Sequence, residues 1–192
     1  MKNDQQEAYE RVLTSTLGRV IDFLKFAEAK NAALLTFASA WILASVNLLN
    51  GSNGLSAVWR IGFTFALPVF VGAAILALCS FLPKTLLSQF YKDPEQTKAL
   101  LYFGDAATFE PAAYRERIRE RYFPPEGESA TRNYLDDLSV QITVNSQITT
   151  SKLKLFNTGA LFVLLALLIL AFPAVITLCR VLATIAGSPD GP

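Results

Sequence analysis

Three long stretches of the chain carry almost no charge, and they alternate with stretches in which apolar residues recur at helical spacing. Residues 31–49 (NAALLTFASAWILASVNLL) lie in the charge-free interval between Lys30 and Arg60. They have the length of a membrane-crossing helix, which needs roughly 20 apolar residues. Asn50-Gly51-Ser52-Asn53-Gly54 then breaks the run. Residues 61–83 form a second uncharged run with Phe63, Phe65, Val69, Phe70, Ile75 and Leu78, and with Pro68 as a kink that neighbouring helices can satisfy. Residues 155–179, which contain LFVLLALLILAF, are the most hydrophobic of the three.

Ahead of the first run, Leu13, Leu17, Val20, Leu24, Ala27, Asn31 and Leu34 follow a 4-3 alternation, the seam of a left-handed helical bundle. No proline interrupts it, so the first helix is expected to begin near Asp4 and to run unbroken into the first span as a stalk. A matching stalk is expected at residues 133–156, where Leu135, Leu138, Ile142, Asn145, Thr149, Lys152 and Phe156 repeat with the same spacing. Its upper half is polar, and polar seam residues fix register at a cost in stability. Between the stalks, Asp93-Pro94-Glu95 reads as a helix start, Phe109-Glu110-Pro111 as a break before a short helix through Tyr122, and residues 123–129 as a loop. The fold class expected is therefore an all-α membrane protein: three transmembrane helices, cytoplasmic helical stalks and a small helical middle segment. Its parts are an N-terminal stalk (1–30), a two-span hairpin (31–83), a cytoplasmic helical segment with the second stalk (84–154), a third span (155–180) and a short tail (181–192).

Composition agrees. Of 192 residues, 52% are hydrophobic and 17% charged, with a mean hydropathy of +0.36. Soluble domains are nearer 45–50% apolar and about 25% charged, so too little polar surface exists here to cover three uniformly apolar helices. Residues 1–30 are too long and too acidic for a signal-peptide n-region, so the first run reads as a retained anchor. Orientation follows from the basic residues. Lys2, Arg11, Arg19, Lys25 and Lys30 precede the first span, ten Lys and Arg lie in residues 84–154, and residues 50–59 have none. The charged parts are thus expected in the cytoplasm, with the N-terminus inside and the C-terminus outside. Arg180 near the outer end sits awkwardly with this, and a third segment that re-enters at Pro173 is the alternative.

The chemistry of the side chains narrows function further. Histidine is absent, which removes the commonest general base and metal ligand near neutral pH. Cys79 and Cys179 both fall in apolar runs and read as small buried hydrophobes rather than as a disulfide or zinc pair. No P-loop, GxGxxG, HExxH, CxxC or GxSxG pattern occurs, so no catalytic residue, metal or cofactor is expected. A net charge of +1 gives no bulk attraction to nucleic acid, and no nucleic-acid partner is expected.

The densest charge cluster is Tyr114-Arg115-Glu116-Arg117-Ile118-Arg119-Glu120-Arg121-Tyr122. On a helix Arg115 and Arg119 share one face and Arg117 and Arg121 another, with Glu116 in reach of Arg119. It reads either as a solvated or headgroup-facing helix held by intrahelical pairs, or as a phosphate-binding face with tyrosines for base stacking. Lys30 either snorkels to headgroups or pairs with Asp22, Asp136 or Asp137. A candidate signal-binding set is Arg115, Arg117, Arg119, Arg121, Lys30 and Lys152. Asn31, Thr36, Ser39, Ser45 and Asn47 offer hydrogen bonds between spans, and Ala40-xxx-Ala44, Ala73-xxx-Ala77 and Gly72-Ala73-Ala74 offer close helix contact. Assembly into a homo-oligomer is expected.

The order of these features resembles a known family. Phe26-Ala27-Glu28-Ala29-Lys30-Asn31-Ala32-Ala33-Leu34-Leu35 resembles the "AD-x-K-A" approach to the first span in the Pycsar transmembrane effector family. Tyr102-Phe103-Gly104-Asp105 is similar to its "FFG" segment, and Gln141-Ile142-(x)5-Ile148-(x)3-Lys152 to its "Q-I-x-x-x-S-x-I-x-x-x-K" stalk. The chain departs from the pattern at Glu28 and Asn31, where an Asp one residue later and an Ala after the lysine are expected. The resemblance implies an antiphage, abortive-infection effector of the bacterial inner membrane. A partner cyclase would supply a cyclic pyrimidine nucleotide, and membrane integrity would fail in response. The rival readings from the residues alone are a membrane scaffold that recruits a cytoplasmic partner through its stalks and, last, a small transporter, which would call for charges within the spans.

Overall fold

The computed structural model describes residues 2–51, 54–82 and 100–186. It contains α1 (Lys2–Asn50), α2 (Ala57–Ser80), α3 (Phe103–Ala106), α4 (Pro111–Tyr122) and α5 (Arg132–Ala186), and no strand among the described residues. The fold is all-helical, and α1, α2 and α5 are each long and apolar enough to cross a membrane. The helix start read at Asp93-Pro94-Glu95 lies outside the described residues.

Two elements run further than their hydropathy suggests. α5 has 55 residues, roughly 82 Å of helix against a hydrocarbon core of about 30 Å. It passes through Pro173 to Ala186, so there is no turn at Pro173 of the kind a re-entrant segment needs. The proline is buried beside Gly62, where a Cβ would stand 3.0 Å from Pro173 Cγ; a ring and a missing side chain fill one space. α2 starts at Ala57, which puts Arg60 within its first turn. The boundary is set by the preceding loop, where Gly54 adopts φ 66°, and an arginine at a span end can extend its head to water.

The chain packs as two units, residues 1–28 with 82–152 and residues 29–81 with 153–192. In the first, Leu13, Ala130, Leu135 and Leu138 form a core with Leu17 and Ile142 against it. Tyr102, Val144 and Ile148 form another with Leu24 and Val140. Thr131 caps α5, its Oγ1 accepting from Tyr134 N at 3.2 Å, and Gln6 Nε2 donates to Ala130 O. α4 begins at Pro111 with Glu110 as its N-cap residue, the position where proline loses no helical hydrogen bond. The turn at residues 125–128 needs its glycine, since Gly127 has φ 82°. The polar seam residues turn inward on their own helix: Asn145 Nδ2 donates to Gln141 O at 2.9 Å and Thr149 Oγ1 to Asn145 O at 2.7 Å.

In the second unit Phe63, Ala66, Phe70, Ala166 and Leu170 pack together, and Ala38, Ala73 and Ala74 form a smaller cluster. Trp41 stacks on Phe70 with ring centroids 5.6 Å apart. The 4-3 alternation of α1 persists as buried Asn31, Leu34, Ala38 and Ser45. Of the small-residue pairs, Ala73 and Ala77 are buried while Ala40 is exposed. Thr36 and Ser45 bond back to Ala32 O and Trp41 O at 3.0 and 2.6 Å rather than across helices, because a hydroxyl on a helix finds the carbonyl one turn back first. Cys79 and Cys179 are free and exposed, which corrects the expectation that they are buried. Each sits on the outward side of its helix, where lipid offers the apolar surroundings a core would.

Candidate functional site

The arginine helix does not present one uniform basic face. Arg115, Arg117 and Arg119 are exposed, whereas Arg121, one residue before the end of α4, is half-buried against α5. Its Nε lies 3.0 Å from Asp137 Oδ2 and its Nη2 3.2 Å from Asp137 Oδ1, a two-pronged pair. The Tyr122 hydroxyl donates to the same Asp137 Oδ2, and the Arg121 guanidinium lies 5.8 Å from the Tyr122 ring centroid. Tyr122 in turn meets the Tyr134 ring edge-on at 6.1 Å. Three donors thus converge on one carboxylate. Burial first, and then the bond to Asp137, push the Tyr122 phenol above its ordinary value, and the Asp137 hydrogen bond raises Arg121 in the same way.

Arg121 is therefore the fastener of α4 to α5, and Asp137 neutralises it. Arg117 pairs with Glu120 at 3.1 Å on the open surface, where such pairs contribute little. The Glu116–Arg119 pair read from spacing is replaced by this one, so Arg115 and Arg119 keep their exposed face without an ion pair among the described residues. A signal with a phosphate would find two guanidinium groups there, not four.

Lys152 occupies a seam position of α5 and is only 9% exposed, with its Nζ 3.0 Å from Glu28 Oε1. Sequence spacing places Lys152 in the seam but gives no sign of its partner, because Glu28 sits beside the α1 seam and not in it. Lys30 lies over the Phe156 ring, 5.1 Å from its centroid, a cation–π contact, and none of the three aspartates considered as its alternative partner takes it. The aspartates considered for it are held elsewhere: Asp22 by Lys25 at 3.2 Å, Asp136 by Arg132 at 3.7 Å and Asp137 by Arg121.

The second unit holds a different kind of concavity. A lateral groove of about 590 Å³ between α2 and α5 is walled by Val58, Ile61, Phe65, Phe172 and Ile176. Its lining suits hydrocarbon and offers nothing to a charged signal. Among the described residues no group of three or more His, Cys, Asp or Glu could hold a metal ion.

An all-helical chain with three helices able to cross a membrane has a counterpart among known proteins. Residues 12–179 match the model of the Pycsar effector protein domain. The chain belongs to that family. It is 42% identical over 162 residues to the Pycsar effector protein RsPycTM from a Rhizobium species, covering 84% of this chain and 92% of the relative. No solved structure matches it. It is accordingly a membrane-spanning effector of antiphage defence, in contact with the lipid bilayer through α1, α2 and α5.

Proposed function

We propose that this Pycsar effector is a multi-pass protein of the bacterial inner membrane, with its N-terminus in the cytoplasm, that impairs membrane integrity when a nucleotide second messenger reaches it. The observation that carries the reading is the match of residues 12–179 to the Pycsar effector domain in a chain with three spans. The basic residues support the orientation, since ten lie in residues 84–154 and none in residues 50–59.

The exposed Arg115 and Arg119 face takes the phosphate of a cyclic pyrimidine nucleotide, the signal class of the family. Arg121 and Lys152 hold the frame on which that face is mounted. Several copies assemble, and signal binding shifts them from a quiet packing to one that leaks. Such a shift requires the signal to bind the leaking state more tightly than the quiet one. Cells expressing the chain with and without a pyrimidine nucleotide cyclase, read with a voltage-sensitive dye, test this. Depolarisation is expected only with the cyclase active, and an unchanged potential in every condition contradicts the proposal.

A further inference from the structure

The lateral groove between α2 and α5 lies wholly inside the second unit, whose described residues include no Asp or Glu. Its α5 wall is made by Ile169, Phe172, Pro173 and Ile176, spaced as one side of a helix. One turn further along that side comes Arg180. Four residues are about 40° more than a full turn and about 6 Å of rise, so this arginine stands just past the end of the groove. It is exposed, and its unit offers no carboxylate among the described residues to pair with it.

The concavity is built into the packing of the two helices. Pro173 fills the space beside Gly62, and on the adjoining side Trp59 Nε1 donates to Thr177 Oγ1 at 2.9 Å. These contacts hold α2 against α5, while Phe65 and Phe172 form lips that are 64% and 68% exposed. At about 590 Å³ the groove falls within the range of roughly 300–1,000 Å³ seen for pockets that take a small organic ligand.

We infer that the groove holds one acyl tail of an anionic phospholipid whose phosphate is bound by Arg180. Length and charge choose that occupant. The uncharged run of α5 extends from Leu155 to Cys179 between Lys154 and Arg180, so Ile169 lies near its middle. From Ile169 to Arg180 is 11 residues, about 16 Å of helix, which matches one leaflet of a hydrocarbon core about 30 Å thick. A tail lying in the groove therefore brings its own headgroup to the level of the arginine. The guanidinium stays protonated and offers a phosphate two parallel N–H donors.

Apolar walls cannot by themselves select one lipid from another, because the surrounding tails are as apolar as the walls. Selection falls to Arg180, and it is selection for headgroup charge. A span of a second copy would fill the groove without answering that charge, since the described part of its second unit has no carboxylate either. Arg60 provides a matched control. It is exposed at the same end of the unit, but about 140° round α2 from the middle of the wall that Val58, Ile61 and Phe65 form.

Native mass spectrometry of the full-length protein, released into mild detergent from vesicles of equal phosphatidylglycerol and phosphatidylcholine, tests the site. The wild type should retain one phosphatidylglycerol per chain, at least fivefold over phosphatidylcholine. Arg180→Gln should bring that ratio close to one and Arg60→Gln should leave it unchanged; both arginines are exposed, so neither variant disturbs the packing. Ile61→Trp, at a wall position already 58% exposed, fills the groove and should remove retained lipid of either kind. Equal retention of the two lipids by the wild type, a preference that survives Arg180→Gln or falls as far in Arg60→Gln, or retention unchanged by Ile61→Trp overturns the proposal. So does a wild type that carries no lipid and runs as a multimer, which would put a second copy in the groove.

Discussion

Lys152 keeps its Nζ 3.0 Å from Glu28 Oε1, joining a lysine that is almost wholly buried to a glutamate that is half in water. The two ends of this pair are unequal. Removing Glu28 deprives a nearly buried ammonium of one of its contacts, whereas removing Lys152 leaves a carboxylate that water can still reach. Breaking a buried pair by deleting one partner costs more than replacing the charge with an apolar side chain of similar length. Glu28→Gln should therefore lower the Tm of the detergent-solubilised protein by several degrees, while Lys152→Met should change it by less. Two negligible shifts would show that the pair contributes nothing to stability, and the reverse order that the other contacts of Lys152 outweigh this one.

The carboxylate of Asp137 collects three donors from Arg121 and Tyr122. Asp137→Asn should cost about 2 kcal/mol, or on the order of 4–8 °C in Tm, since hydrogen bonds to charged groups contribute about 1.5–3 kcal/mol. Differential scanning calorimetry reads this directly, and a shift under about 1 °C would remove Asp137 as the fastener of α4.

Alkaline pH bears on the same contact. Burial raises the phenols of Tyr102, Tyr122 and Tyr134 above the ordinary value near 10, so each favours the folded state in its neutral form. That contribution is complete below about pH 10 and fades as pH climbs beyond it, because the unfolded tyrosines ionise first. Phenolate absorbance should therefore rise together with loss of helical signal above about pH 10. Tyr122→Phe should flatten that dependence. Ionisation of all tyrosines near their ordinary value with the helices intact would contradict the burial argument.

How far the sequence discloses this molecule depends on the range of the contact. The seam of α1 and the spans of α1, α2 and α5 are local patterns, and Leu13, Leu135 and Leu138 lie where their spacing puts them. The start of α4 at Pro111 and its end at Tyr122 likewise follow from a proline and a loop. By contrast, Val144, Ile148 and Tyr102 form a core that heptad counting misses, because Tyr102 comes from a distant segment that brings its own ring. Arg121 and Asp137 are separated by a loop, and nothing in their spacing says that α4 folds back on α5. Both cysteines depart from their reading because an apolar run in a membrane protein faces lipid as readily as a core.

Gly159 is a position where size is limiting. A Cβ there would lie 2.7 Å from Leu34 Cδ2 and 3.5 Å from Ala73 O. The leucine methyl can swing away, so Gly159→Ala should be tolerated with a small loss. Gly159→Val should lower Tm by roughly 2–12 °C, as overpacking costs about 1–3 kcal/mol. Leu34→Ala should recover part of that loss when the two are combined. Additive losses would mean that the helices do not meet at this pair.

Arg115 and Arg119 separate signal contact from folding, since both are exposed and neither holds an ion pair among the described residues. The double variant Arg115→Glu, Arg119→Glu should keep the wild-type Tm within about 1 °C. In cells with an active cyclase it should abolish depolarisation. Arg121→Glu should instead reduce both stability and response. A fully responsive Arg115, Arg119 variant would move the signal contact elsewhere.

The decisive question is whether this chain alone converts a soluble signal into a breach of the bilayer. Purified protein reconstituted into dye-loaded liposomes and exposed to a cyclic pyrimidine nucleotide measures that conversion. Release is expected with the nucleotide, and only background release without it or with a linear monophosphate. Intact liposomes at saturating cyclic nucleotide, with the protein inserted and oriented, would contradict it.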